Sequence, residues 1–131
     1  MTPPTIQRWY EIAKAGDTKG LEALLADDAV FQSPVVHTPQ RGKAITFKYL
    51  YAALHVLNND SFEYLGEWIA ERSAVLEFQC TVDGIVINGV DMIEWNAEGK
   101  ITSFKVMVRP LKAMNKLHEL MGAMLQRAGP A

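Results

Sequence analysis

Apolar residues recur at helical spacing in the first half of the chain. This spacing predicts helices at residues 5 to about 15, at a short segment carrying Leu21, Leu24 and Leu25, and at residues 43 to about 57. Gly16 is suited to end the first helix, because glycine readily adopts the left-handed conformation found at helix ends. The run Ala29-Val30-Phe31 is a candidate first strand. Residues 34–42, with two prolines and a glycine, are expected to form a loop.

Alternation with a period of two begins near residue 62 and predicts an antiparallel meander. Its four strands are expected at residues 62–70, 74–82, 85–95 and 101–109. Asp83-Gly84 has the composition of a tight two-residue turn, and Gly66 predicts a bulge in the first of these strands. A last helix is expected from Leu111 to about Arg127, with Gly129-Pro130 closing the chain. This order predicts an α+β fold with helices on one face of a curved, mostly antiparallel sheet.

The tight turn fixes how the second and third strands of the meander face each other. It sets Leu76 opposite Asp91, so that one face of the sheet is apolar and Asp91 is its only clear acid. Because a carboxyl among apolar neighbours must be protonated, paired or functional, Asp91 is the first candidate for chemistry. The other face is mixed, with Gln79 opposite Asn88, and is typical of a dimer contact.

Two registers of the last hairpin place different neighbours beside Asp91. If Gly99 takes the left-handed position of a bulged turn, the same face receives Ile101, Ser103, Lys105, Met107 and Arg109, and this is the register we favour. A turn without that bulge instead brings Phe104, Val106 and Val108 to the Asp91 face.

Composition and charge exclude several classes of function. We expect the 131 residues to form one domain, 1–131, and the formal net charge of -2 comes without a basic patch for nucleic acid. No apolar run approaches the ~20 residues that span a membrane, and the first residues lack a signal-peptide pattern. The single cysteine, Cys80, fits a cytoplasmic location and a small buried side chain. Metal-ligand spacing and a phosphate-binding glycine loop do not occur, so we expect neither metal nor cofactor.

Three blocks of the sequence are similar to one protein superfamily. They are RWYE at 8–11 with GD at 16–17, DDAVFQSP at 27–34 with GK at 42–43, and VDMIEW at 90–95 with GKI at 99–101. In this order and spacing the chain resembles the nuclear transport factor 2-like superfamily, in its ketosteroid isomerase and polyketide cyclase-like (SnoaL-like) branch. The resemblance implies a cone-shaped α+β barrel, usually dimeric, with an apolar cavity between the sheet and the helices.

The resemblance also assigns roles to three positions. Asp91 matches the oxyanion-hole aspartic acid of ketosteroid isomerase, which an apolar site keeps neutral so that it can donate a hydrogen bond. Trp9 stands where that enzyme has a hydrogen-bonding tyrosine, and Ser33 stands where it has the aspartate general base. Because a serine cannot remove a proton from carbon near neutral pH without a partner base, the usual route of ketosteroid isomerisation is not expected.

These observations predict a small-molecule-binding protein with a site around Asp91. As an enzyme it would be a cofactor-independent isomerase, cyclase or hydratase acting on an apolar carbonyl compound. Asp91 would polarise the oxygen, Trp9 would assist, and His37 or a bound water would handle the proton. Large or polar side chains are expected to line the ligand cavity: Phe31, Ser33, Tyr51, Trp68, Phe78 and Met107. The expected partners are a small apolar ligand and a second copy of the chain, docked through the sheet.

Simpler roles remain open for each candidate residue. Asp91 would pair with Lys105 if its role were structural, Trp9 would be a core residue, and His37 would be a solvated loop residue. A non-catalytic ligand-binding or dimerisation module is the alternative function, favoured by the missing base at Ser33. Epoxide hydrolysis fits poorly, because Asp91 and Arg109 lack the second acid which that chemistry needs.

Overall fold

The computed structural model describes residues 2–127, so that Gly129-Pro130 lies outside the described residues. Within this range four helices and six strands follow one another: α1 (Pro4–Ala15), α2 (Thr18–Leu24), β1 (Leu25–Gln32), β2 (Gln40–Arg41), α3 (Lys43–Leu57), β3 (Glu63–Ala70), β4 (Ser73–Val82), β5 (Ile85–Trp95), β6 (Ile101–Arg109) and α4 (Leu111–Arg127). The predicted order is confirmed. Two details differ, because Leu25 belongs to β1 rather than to the second helix, and β2 forms within the predicted loop.

Local signals fix the junction between the first two helices. The apolar side of α1, formed by Ile6, Trp9 and Ile12, is buried. Gly16 ends the helix: its φ is 67°, and its N–H donates a hydrogen bond to the Ile12 carbonyl oxygen. The Asp17 carboxylate then caps α2 by accepting a hydrogen bond from the Gly20 N–H at 2.9 Å. Trp9 is therefore held on the inward side of a helix whose end is well defined.

The six strands form one curved sheet in the order β2-β1-β6-β5-β4-β3. All pairs are antiparallel except β1 with β6, and the sheet is not closed because β2 and β3 remain as edges. The predicted pairing of Leu76 with Asp91 is confirmed, and both turn residues, Asp83 and Gly84, have positive φ. The predicted bulge at Gly66 is confirmed by a register shift between Tyr64 and Gly66.

The favoured register of the last hairpin is wrong. Gly99 does take the left-handed conformation, with φ of 79°, and Ile101 pairs with Trp95 as that turn requires. A second irregularity then leaves Thr102 unpaired, so that Ser103 pairs with Glu94 and every later side chain changes face. The physical reason is burial: the second bulge sends Phe104, Val106 and Val108 to the Asp91 face instead of Ser103, Lys105 and Met107.

We call the face of the sheet that carries Leu76, Asp91 and Val106 the inner face, and the opposite one the outer face. The core lies between the inner face and the helices α1, α3 and α4, and it includes Cys80, which is buried as predicted. Among residues 2–127, no helix is both long enough and apolar enough to cross a membrane. Helices and sheet together form the cone that the resemblance implies, with Asp91 facing its interior.

Candidate functional site

Asp91 is a buried carboxyl on the inner face of β5. Its side chain is 6% exposed, and its cross-strand neighbours are Leu76 on β4 and Val106 on β6, both apolar. The favoured register had suggested Lys105 as a structural partner of Asp91. In the structure Lys105 lies opposite Met92 across β5 and β6, on the outer face. Lys105 therefore does not neutralise Asp91.

A chain of two hydrogen bonds connects Asp91 to the first helix. The Trp9 Nε1–H donates to the Tyr64 hydroxyl oxygen at 2.8 Å, and the Tyr64 O–H donates to Asp91 Oδ2 at 2.8 Å. The three residues come from α1, β3 and β5, so the fold alone brings them together. Trp9 is itself 2% exposed and packs edge-on against Phe104, with ring centroids 4.9 Å apart.

The surroundings of Asp91 change its acidity strongly. Burial raises the pKa of Asp91 to about 7, and the hydrogen bond from Tyr64 opposes this rise because it stabilises the carboxylate. The pKa of Tyr64 is raised well above its ordinary value by burial and by the neighbouring charge of Asp91. Near neutral pH, Asp91 therefore exchanges between acid and carboxylate, whereas Tyr64 keeps its proton.

A small cavity of about 50 Å³ opens beside Asp91. Its walls come from α1, α3, α4, the inner face and the loop after β1, and its lining is almost wholly apolar: Trp9, Phe31, Ser33, Pro34, Val35, Leu50, Ala53, Leu54, Leu57, Asn58, Phe62, Tyr64, Phe78, Asp91, Phe104, Val106, Leu117 and Met121. Of these residues, Asp91 and Tyr64 are the ones that titrate. Trp9, Phe31, Ser33 and Phe78 were predicted to contribute to the site, and all four line this cavity.

Three of the predicted lining residues do not reach the cavity. Trp68 and Met107 are 57% and 51% exposed and lie on the outer face, since the bulges in β3 and β6 turn them away from Asp91. Tyr51 faces away on α3, where its ring packs against His55 with centroids 4.4 Å apart. The structure therefore places these three residues outside the cavity beside Asp91.

His37 and Ser33 lie on the loop between β1 and β2, in different surroundings. His37 lines a surface groove together with Lys105 and Met114, and it does not line the Asp91 cavity. Ser33 borders both spaces, and its Oγ accepts a hydrogen bond from the Val35 N–H at 3.1 Å. The structure thus separates His37 from Asp91, and the serine hydroxyl already serves to shape the loop.

Tyr64 is the site residue that the sequence reasoning missed. Tyr64 on β3 lies opposite Phe78 on β4, and the sequence had already placed Phe78 on the same face as Asp91. Assigning the side chains of β3 to faces as well would therefore have identified Tyr64. The obstacle was the bulge at Gly66, which breaks the alternation of β3 and puts Glu67 and Trp68 out of phase with Tyr64.

The described part of the chain does not gather metal-binding side chains: within residues 2–127, no group of three or more His, Cys, Asp or Glu residues is placed to hold an ion. The chemistry that the arrangement can perform is proton transfer and hydrogen bonding in an apolar space. Asp91 can act as acid or base, and Tyr64 can donate a hydrogen bond.

Comparison with known proteins agrees with this fold. The SnoaL-like domain family matches residues 6–104. The chain is similar to a steroid delta-isomerase from Pseudomonas aeruginosa, with 36% identity over 95% of this chain and 90% of that chain and a TM-score of 0.89. It is also similar to an uncharacterized bacterial protein with a cystatin-like fold from Silicibacter pomeroyi DSS-3, with 33% identity over 92% and 84% of the two chains and a TM-score of 0.84.

A more distant likeness shows the fold alone. A putative polyketide cyclase from Sinorhizobium meliloti is 16% identical over 81% of this chain and 95% of that chain, with a TM-score of 0.65. The family match spans most of the chain, and two structures are more than 30% identical over nearly all of it. The chain therefore belongs to the SnoaL-like domain family and has the nuclear transport factor 2-like fold.

Proposed function

We propose that this protein is a cofactor-independent enzyme that binds a small, mainly apolar carbonyl compound beside Asp91 and rearranges it by proton transfer. The reaction class is isomerase, cyclase or hydratase. The observation that carries the proposal is a buried carboxyl, with its pKa raised to about 7, at the wall of an apolar cavity. The likeness to a steroid delta-isomerase at 36% identity supports the same class.

The position of Asp91 suits such chemistry for two physical reasons. A catalytic acid or base works best when its pKa lies near the working pH, which an exposed aspartate does not achieve. An apolar cavity also strengthens each hydrogen bond to a carbonyl oxygen, since water is excluded and the local dielectric is low. Because the lining is otherwise almost wholly apolar, the substrate needs few polar groups beyond its carbonyl.

The cavity must enlarge to receive such a substrate. Its volume of about 50 Å³ holds a few water molecules, whereas ligand sites usually measure ~300–1,000 Å³. Leu117 and Met121 of α4 form part of the wall, and methionine adapts its shape at low cost. Rotation of these side chains, with Asp91 left in place, is the rearrangement that we propose for ligand entry.

Turnover of β,γ-unsaturated ketones tests the proposal. Purified protein is mixed with a β,γ-unsaturated cyclohexenone or ketosteroid, and formation of the conjugated enone is followed by ultraviolet absorbance. We expect turnover by the wild type, loss in Asp91→Leu, and retention in the matched control Asp60→Asn, whose side chain is exposed in the turn after α3. Equal rates in wild type and Asp91→Leu would contradict the proposal.

A non-catalytic binding protein is the second candidate. It is favoured by the lack of a second proton acceptor near Asp91, because Ser33 stands at the position of the family base and His37 lines another groove. This candidate predicts that the same ketones bind, as shown by shifts of the Asp91 and Tyr64 resonances, and that they leave the protein chemically unchanged.

We also propose a homodimer formed through the outer face. Among residues 2–127, this face exposes large apolar side chains, including Trp68, Val86 and Met107 at 50% or more. Such exposure favours an interface between copies of the chain. Sedimentation of the wild type and of Trp68→Lys tests this: a dimer that becomes a monomer supports it, and a wild-type monomer contradicts it.

The cytoplasmic location and the single domain 1–131 stay predictions.

A further inference from the structure

The hydrogen bonds around Asp91 have a fixed direction. An indole N–H only donates, so the Tyr64 oxygen must be the acceptor of the bond from Trp9. The Tyr64 hydroxyl donates its single hydrogen to Asp91 Oδ2, which accepts it at 2.8 Å. Asp91 is thus arranged as an acceptor, and the hydroxyl of Tyr64 is arranged as a donor.

The cavity offers few alternatives for receiving a proton from a substrate carbon. Among its described lining residues, the polar ones besides Trp9, Tyr64 and Asp91 are Ser33 and Asn58. The amide of Asn58 donates to the Ala13 carbonyl, and amides and hydroxyls are not bases near neutral pH. Tyr64 holds its proton tightly, so Asp91 is the one lining group that can accept another.

We infer that Asp91 is the proton acceptor of this site and that Tyr64 is the hydrogen-bond donor to the substrate carbonyl oxygen. This exchanges the role that the family resemblance implies for Asp91, and it names Tyr64 as a catalytic residue. The inference rests on the proposed function. The only N–H of the Trp9 side chain donates to Tyr64, so Trp9 is a positioning residue, which holds the Tyr64 oxygen and leaves its hydrogen free to be donated.

The spacing of the two groups suits an enolisable ketone. Tyr64 Oη and Asp91 Oδ2 are 2.8 Å apart, and a carbonyl oxygen and its α-carbon are separated only by the carbonyl carbon. A ketone inserted at this point places its oxygen on the Tyr64 hydrogen and its α-hydrogen against Asp91. The hydroxyl then turns from the carboxylate to the ketone, and its bond from Trp9 can remain.

The proton transfer balances with these two residues alone. With a β,γ-unsaturated ketone, the Asp91 carboxylate removes the α-proton, the C–H electron pair forms a C=C bond to the carbonyl carbon, and the carbonyl π electrons move to the oxygen, which keeps the hydrogen bond from Tyr64. The resulting dienolate takes the same proton back from Asp91 at its γ-carbon: the β,γ electron pair forms the new C–H bond, the enolate C=C pair becomes the α,β double bond, and the C=O bond forms again. Asp91 is restored as a carboxylate, and the double bond has moved into conjugation.

Substrate binding would itself strengthen the base. The hydrogen bond from Tyr64 lowers the pKa of Asp91, so transfer of that bond to the ketone removes a stabilisation of the carboxylate. Other ionisable groups near the pair are few: Tyr10 of α1 packs on the Tyr64 ring at 5.1 Å, and its hydroxyl donates to Glu67. The elements β4, β6, α3 and α4 present uncharged residues to the cavity.

The pH dependence of α-hydrogen exchange separates the two role assignments. Exchange of the α-hydrogens of cyclohexanone in D₂O is followed by NMR with the wild-type protein, from about pH 5 to about pH 9. If Asp91 is the base, the rate rises with pH and levels off above the pKa of Asp91. A rate that falls over this range would overturn the inference, because the neutral acid would be the active form, while the proposed function would stand. Binding of cyclohexanone without exchange at any pH would overturn both.

The exchange rates of three variants give a second, independent test of the two roles. Tyr64→Phe should slow exchange about 100- to 1,000-fold, the usual effect of losing an oxyanion donor, and should move the inflection to higher pH. Tyr10→Phe is the matched control: it removes a neighbouring hydroxyl that bonds Glu67, and it should keep the wild-type rate. Asp91→Asn, nearly isosteric, should lose exchange, since an amide donates hydrogen bonds but is not a base. Exchange retained in Asp91→Asn, or lost equally in both tyrosine variants, would overturn the assignment.

Discussion

Replacing Asp91 by asparagine should change how the stability of the protein depends on pH. Burial raises the pKa of Asp91 from 3.8 to about 7 in the folded protein. Between these values the folded protein holds a proton that the unfolded chain releases, so ionisation favours unfolding. The stability that neutral Asp91 provides is therefore complete below about pH 4 and is lost as the pH rises through about 7. The Asp91→Asn variant has no such proton to lose.

The size of the effect follows from the two pKa values. Each pH unit of difference corresponds to about 1.4 kcal/mol, so the interval from 3.8 to about 7 corresponds to about 4 kcal/mol. The amide oxygen of asparagine can still accept the hydrogen bond from Tyr64, so this contact is retained. Relative to the wild type, Asp91→Asn should thus gain about 4 kcal/mol in free energy of unfolding between about pH 4 and about pH 8.

Urea unfolding of both proteins in the same buffers measures this difference. The other carboxyl groups titrate in both proteins and cancel when one free energy of unfolding is subtracted from the other. Asp60→Asn is the control, since its side chain is exposed in the turn after α3 and does not line the Asp91 cavity. A difference for Asp91→Asn that does not vary with pH would refute the account, because it would mean that Asp91 titrates as it does in water.

Three further predictions concern the residues around Asp91. Tyr64→Phe should raise the pKa of Asp91 further, because it removes the hydrogen bond that lowers it; an unchanged value in a carboxyl NMR titration would contradict this. Gly89→Ala should lower the free energy of unfolding by about 1–3 kcal/mol in thermal or urea unfolding, because its Cβ would lie 2.5 Å from the Met107 carbonyl oxygen. Gly122 lies in open space on α4, so Gly122→Ala should instead raise the free energy of unfolding by up to about 1 kcal/mol. Met121→Ala should cost about 2–5 kcal/mol and tighten the binding of bulkier ketones measured by calorimetry; weaker binding would argue against entry beside α4.

Most of the fold could be predicted from local patterns. The strands β5 and β6 and the helix α4 have the predicted bounds, because clean alternation and helical spacing were followed by strong turn residues. The pairing of β4 with β5 followed from Asp83-Gly84 alone, since both positions of that turn need positive φ. Where the turn residues alone set the pairing of two strands, the sequence suffices, whereas at Gly99 a further bulge in β6 changed the register.

The environment of Asp91 could be predicted only in part. Asp91 could be identified because it is an acid on an apolar face, and Trp9 because it is a large side chain in the apolar stripe of the first helix. The bulges at Gly66 and Thr102 are decided by which set of side chains the core can bury, and this depends on the packing of the whole sheet. They brought Tyr64 to Asp91, and they turned Trp68 and Met107 outwards, which local alternation could not reveal.

The pKa of Asp91 in the folded protein is the most direct test of the account. The carboxyl carbon of Asp91 is followed by NMR from about pH 3 to about pH 10, with Asp91→Asn used to assign its resonance. We expect an inflection at about 7, because burial in an apolar cavity raises the pKa of Asp91 and the hydrogen bond from Tyr64 opposes this rise. An inflection at or below 3.8 would contradict it, because Asp91 would then be hydrated or paired with a cation and would be no base for a substrate near neutral pH.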